Sequence, residues 1–235
     1  MLQAVFFDLD GTLLPMDNDY FIQVYFKLLA KAAAQWGYTN TDKLIQAVWT
    51  GVKAMIGNQG LCTNEEAFWN SFCALMGPDC KKDLPLFDRF YETDFHQAKE
   101  VTFPAPLARK AVETARQKAQ KIVLASNPVF PIQGTRTRMS WIGLTPEDFD
   151  HVTHYGNSRF CKPNPAYYRD LLDRFGLDAS QCLMIGNDAH EDIEAAAELG
   201  IKGYWLTDYA INRKDLTLTC PQGNYEELVT FLESL

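Results

Sequence analysis

The chain has 235 residues, 47% hydrophobic and 22% charged, enough for one large domain or a core domain with a smaller companion. Its formal charge of −8 and sequence pI of about 5.0 exclude the basic footprint of a nucleic-acid binder. An anionic substrate would need local donors and a metal ion against the overall field. No apolar run approaches the roughly 20 residues of a membrane span, and no basic-then-apolar leader opens the chain. The six cysteines form no CxxC pair, so neither a disulfide scaffold nor a zinc knuckle is expected. Reduced thiols in the cytoplasm are the expectation.

Ala4–Phe7 is a short apolar run suited to a strand buried on both faces. It stops at Asp8–Leu9–Asp10–Gly11–Thr12. Asp17 and Asp19 offer caps for a helix over Tyr20–Gln35, with Gly37 beyond its end. Thr41 caps a second helix to Ile56. Thr63 and Glu66 read as a capping box opening a third, and a fourth covers Leu86–His96. Residues 16–100 therefore read as a helical block without strands, packed as a bundle. Tyr20, Tyr25, Trp49, Phe68, Trp69 and Phe72 are its expected core.

A helix follows from Pro106 to about Gln120, then a strand at Ile122–Ala125 ending in Ser126–Asn127–Pro128. Residues 130–140 read as irregular or helical, with Arg136 and Arg138 as solvated charges. A strand is expected at His151–Tyr155. The i, i+3 spacing of His151 and His154 puts them on opposite faces, which argues against metal ligation. Lys162–Pro163–Asn164–Pro165 precedes a helix to Phe175. Cys182–Ile185 is a fourth strand, ending in GNDAHED, with a helix over Ile193–Leu199. Gly203–Leu206 is a fifth strand, and Asn224–Leu232 a closing helix. Strands alternating with helices imply an α/β fold, a mainly parallel sheet covered on both faces.

Three of these strands deliver polar groups to their carboxyl ends, and a fourth such group stands just before a helix. Asp8 and Asp10, on alternate residues, point the same way. One carboxylate can attack phosphorus as a nucleophile, and its neighbour can serve as acid and base. Ser126 can bond a phosphate oxygen, as can adjacent backbone amides. Lys162 can neutralise a carboxylate and its phosphate adduct. Asp188 and Asp192 suit oxygen-seeking Mg²⁺ or, alternatively, helix capping.

In this order the four motifs resemble the haloacid dehalogenase superfamily, specifically its phosphohydrolases with a helical cap inserted after the first strand. DLDGT resembles the first motif, Ser126 the second, Lys162 in CKPNP the third, and GNDAHED the fourth. The resemblance implies a Rossmann-like core over residues 1–15 and 101–235, and a cap over 16–100. It implies Asp8 as nucleophile, Asp10 as general acid/base, and Ser126, Asn127 and Lys162 as phosphate ligands. Asp8, Asp10 and Asp188 would hold Mg²⁺, positioned by Asp192. The implied activity is hydrolysis of a small phosphorylated metabolite. A phosphosugar mutase, a phosphonate hydrolase using Lys53, and a non-enzymatic phospho-accepting or metabolite-binding relative are the alternatives.

Overall fold

The computed structural model describes residues 1–235. Its central strand is β1 (Leu2–Phe7), whose residues from Ala4 onward are fully buried. Alternation sends Val5 and Phe7 into one apolar layer and Ala4 and Phe6 into the other, as a period of two requires. Each buried phenylalanine contributes about 2–3 kcal/mol of hydrophobic stabilisation.

Five more strands complete the sheet: β2 (Ala119–Leu124), β3 (His151–Val152), β4 (Cys182–Gly186), β5 (Lys202–Leu206) and β6 (Gln222–Gly223). All pairings are parallel, in the order β3-β2-β1-β4-β5-β6. The chain moves outward from β1 through β2 and β3, then returns to the other side of β1 with β4. That reversal is a topological switch point, and in open α/β sheets the crevice outside the strand ends there takes the ligand.

Between β1 and β2 lie α1 (Asn18–Gln35), α2 (Thr41–Ile56), α3 (Asn64–Met76), α4 (Leu84–Glu92) and α5 (Ala108–Lys118), with 3-10 segments at Pro78–Asp83 and Asp94–Val101. Asp17 accepts from the Tyr20 N–H at 2.9 Å and caps α1. Thr63 and Glu66 exchange the expected reciprocal bonds. The cap of α2 is Asn40, one residue ahead of Thr41. The two ends of the helical block meet: Met16 pairs with Thr102, and the Phe103 N–H donates to Pro15 at 2.9 Å.

After β2 come α6 (Ile132–Trp141), α7 (Pro165–Phe175), a π-helical turn (Ala189–Glu194) running into α8 (Ala195–Ala197), and α9 (Tyr225–Ser234). α7 and α8 pack on the Ala4/Phe6 side. α5, α9 and the helical block pack on the other, within one continuous cluster. No helix is long and apolar enough to cross a membrane.

Four expectations are corrected. β6 is a sixth strand, two residues long and too short to leave a pattern. β2 starts at Ala119, because Ala119–Lys121 pair with β1 rather than extend α5. Tyr20 and Trp49 are 50% and 40% exposed rather than core. Finally, Cys73 and Cys80 form a disulfide between the end of α3 and the next turn, while the other four cysteines are free.

Candidate active site

β1 ends by passing its direction to Asp8, whose N–H donates to Ile185 of β4 at 3.0 Å. The chain then turns at Gly11, where φ is +81° and a Cβ would meet the Asn187 amide at 2.3 Å. Only glycine satisfies both the backbone and the space. The turn closes through Gly11 N–H to Leu14 and Leu14 N–H to Leu9, both 2.8 Å. Thr12, fully buried, sets its hydroxyl 3.1 Å from Asp8 Oδ2 and from Asn187 Oδ1.

Lys162 is 1% exposed and makes two ionic contacts, to Asp8 Oδ1 at 3.0 Å and Asp192 Oδ1 at 2.6 Å. Burial opposes its charge, but Asp192 and Asp8 outweigh that and hold the ammonium well above the usual lysine range. Asp192 is buried with it; burial pushes this carboxyl up to about 8 against the pull of Lys162, and Asp8 adds to the rise. Its second oxygen accepts the Asp188 N–H at 3.0 Å. Asp192 therefore ties the ammonium to the backbone of the next acid. The arrangement depends on Gly186, where a Cβ would lie 2.2 Å from Asp192 Oδ2. Asp188 caps the π-helical turn, its Oδ1 accepting from His190 and Glu191 at 2.8 and 2.9 Å.

Asp10 pairs with Arg138 through Oδ2, while its buried Oδ1 has no partner. Burial raises the Asp10 pKa; Arg138 opposes the rise and Asp8 reinforces it. Arg138 corrects the expectation of a solvated charge: it is 1% exposed, donates to Gly134 O at 3.2 Å and lies 4.1 Å over the Phe130 ring. α6 packs against α4 and the 3-10 segment at Asp94–Val101, with Gly134, Thr135, Thr137, Met139 and Trp141 buried as well.

Ser126 follows β2 and is 3% exposed. Its carbonyl accepts from Thr153 and Tyr167 at 2.6 and 3.0 Å, which fixes the strand end. The phosphate role expected of Asn127 is its backbone's, which leaves the side chain to other partners. It receives the Lys162 N–H at 3.2 Å and donates to Glu191 at 3.0 Å. The backbone N–H groups of Asp10 and Asn127 donate to no protein acceptor. Glu191, not anticipated from the sequence as a site residue, is pushed up by burial against the pull of Lys162.

Asp8, Asp10, Ser126, Asn127, Asp188 and Asp192 line one pocket of about 250 Å³, with Glu191, Asn18 and Arg213 at its edges. Lys162 reaches it through Asp8. The two histidines stay apart: His151 packs edge-on to Phe175 at 5.9 Å, and His154 Nδ1 accepts from Gly156 at 3.2 Å.

No three His, Cys, Asp or Glu side chains form a metal cage. The oxygens that could hold a metal ion are instead the carboxylates of Asp8 and Asp188, with the Asp10 carbonyl, which accepts no backbone hydrogen bond. Few carboxylates beside solvent suit Mg²⁺, which keeps several waters and shares substrate phosphates.

Residues 2–200 match the profile of the haloacid dehalogenase-like hydrolases. A phosphorylated carbohydrates phosphatase of Thermotoga maritima is 25% identical over 90% of this chain and 88% of its own. A glyceraldehyde 3-phosphate phosphatase of Pyrococcus abyssi is 28% identical over 50% of this chain, a match spanning 46% of that relative's length. The crystal structure of a 2-haloacid dehalogenase from Pseudomonas syringae superposes with a TM-score of 0.62 at 19% identity, covering 98% of this chain and 99% of that one. That similarity carries the fold.

Proposed function

The chain belongs to the haloacid dehalogenase-like hydrolases, and from that premise we propose that it is a Mg²⁺-dependent phosphatase hydrolysing a small phosphomonoester through an aspartyl-phosphate. The observation that carries this is the buried Lys162 ammonium held between Asp8 and Asp192 at the end of the central strand. A cation so placed compensates charge on a carboxylate nucleophile and its phosphoryl adduct.

Asp8 attacks phosphorus and the bond to the leaving oxygen breaks. Asp10 delivers a proton to that oxygen. Its unpartnered Oδ1 can carry the proton while Oδ2 stays on Arg138, and burial favours the protonated form. In the second half Asp10, now a carboxylate, takes a proton from water. The water attacks phosphorus, the bond to Asp8 breaks, and inorganic phosphate leaves. Ser126 and the free Asp10 and Asn127 N–H groups orient the phosphoryl oxygens, while Lys162 holds Asp8 in place. Mg²⁺ on Asp8, Asp188 and the Asp10 carbonyl would add positive charge at the phosphoryl group, and Asp192 would fix Asp188 through its backbone. Residues 16–100 would act as a cap over a core of 1–15 and 101–235, shielding the site from water. The joined ends of the block, Met16 at Thr102, support that division.

The test is phosphate release from simple alkyl phosphates with Mg²⁺ and with a chelator, using Asp8→Asn as blank. Turnover that needs Mg²⁺ and vanishes in the variant is expected. Equal turnover by variant and parent would overturn the assignment.

A further inference from the structure

A second cavity adjoins the catalytic pocket. It encloses about 110 Å³ between α1, α2, α3 and α4 on one side and the segment after β2 on the other. Ile22, Val129 and Phe130 line both spaces, so the two meet at these side chains. Thirteen of the fifteen residues around it are hydrophobic. Its aromatic wall is ordered: Phe26 stacks on Trp49 at 5.0 Å, Phe68 meets Trp69 edge-on at 5.3 Å, and Phe130 meets Tyr25 edge-on at 5.6 Å. Arg138 over Phe130 ties this wall to the acid site.

The only charged side chain on the wall is Asp88, and no cation pairs with it. Ile22 and Trp49 are 37% and 40% exposed, although large apolar groups left open to water gain by being covered. The volume is of the order that holds one benzene-sized group, since an apolar cavity of roughly 150 Å³ binds benzene.

We infer that the substrate is the phosphate monoester of an alcohol carrying a bulky apolar group of about one ring, without a second anionic group. This rests on the phosphatase reading above and adds the chemistry of the leaving group. An apolar group enters the chamber by hydrophobic burial and dispersion. A carboxylate or second phosphate carried into the chamber would meet Asp88 across a low-dielectric wall, with no cation among the chamber's residues to receive it. The sugar-like substrates in the relatives' names would leave hydroxyls there without partners.

The experiment compares kcat/KM for benzyl phosphate, ethyl phosphate and phosphoglycolate with Mg²⁺. All three release a primary alcohol, so the chemical step is comparable. Benzyl phosphate is expected about 30-fold above ethyl phosphate, from the extra apolar area buried, and phosphoglycolate below both. Val52→Phe, which fills the chamber, and Trp49→Ala, which removes part of its wall, are each expected to lower the benzyl-to-ethyl ratio about tenfold. The ratio is internal to each preparation, so incomplete folding of a variant does not alter it. Ethyl phosphate or phosphoglycolate turned over as well as benzyl phosphate would overturn the inference while leaving the phosphatase reading intact. So would a ratio that neither variant moves. No ester hydrolysed above the Asp8→Asn blank would overturn both.

Discussion

Replacing Arg138 by methionine keeps most of the aliphatic volume and deletes a buried charge. Asp10 would then have no partner on either carboxyl oxygen, since Oδ1 has none already and Oδ2 loses Arg138. Removing one member of a buried ion pair costs about 3–5 kcal/mol. The Asp10 side chain is 23% exposed against 1% for Arg138, so water recovers part of this, leaving about 2–3 kcal/mol. With a urea m-value of about 3 kcal/mol/M, the midpoint should fall by about 1 M. Urea unfolding at pH 7 of the parent, Arg138→Met, Asp10→Asn and the double variant forms a cycle. The double variant should be more stable than the sum of the singles implies, with a coupling of about 2 kcal/mol. An Arg138→Met midpoint within error of the parent, or a coupling near zero, would refute the claim that this guanidinium is the partner Asp10 depends on.

Gly186→Ala should displace Asp192, because its Cβ would lie 2.2 Å from Asp192 Oδ2. Phosphatase turnover should drop about 10²-fold, as misplaced site groups cost, and an unchanged rate would contradict the proposed tie from Asp192 to Asp188. His151 is pushed down to about 4 by burial, with Arg174 and His154 adding to it. Its unfolded value is about 6.5, so the unfolded chain takes up the proton first as pH falls. Stability is full above about pH 6.5 and declines toward pH 4, by about 1–2 kcal/mol after allowance for its partial exposure; unfolding midpoints of His151→Gln should lack this component. Denatured protein without reductant should titrate four thiols rather than six. Losing the Cys73–Cys80 link should cost about 2.5 kcal/mol by loop-closure entropy, read by comparing melts of the parent and the double serine variant.

Much of the fold was legible because Ala4–Phe7, Ile122–Leu124, Cys182–Ile185 and Gly203–Leu206 read as apolar runs within their strands. The spacing of Asp8 and Asp10 and the glycine after them announced a strand end with polar cargo. Arg138 was illegible for a related reason. In α6 the buried Thr135, Thr137 and Arg138 are as polar as the exposed Arg136 and Ser140, so residue type does not betray which positions lie inside. Arginine in a run of threonines and serine then looks solvated. Asn127 was read for its backbone alone; its side-chain bonds to the Lys162 backbone and to Glu191 left no sign in the sequence, because they are long-range contacts. The pairing of Asp188 and Asp192 was expected from helical spacing. In the structure it arises because the π-helical turn lets Asp192 reach back to its neighbour's N–H. Trp49 sits at the right helical spacing for a core position, but the wall it belongs to borders a cavity.

The junction of Pro15 with Phe103 also bears on how the chain reaches its native state. β1 and β2 are separated by roughly 117 residues of sequence, and joining ends so distant is entropically costly. A block that condenses first and brings Met16 to Thr102 shortens the span left to close to about 31 residues. That lowers the closure cost by about 1 kcal/mol, roughly a fivefold gain in the rate at which the two strands find each other. Apolar truncations inside the block, at Phe72 or Phe90, should therefore slow refolding itself and not merely hasten unfolding.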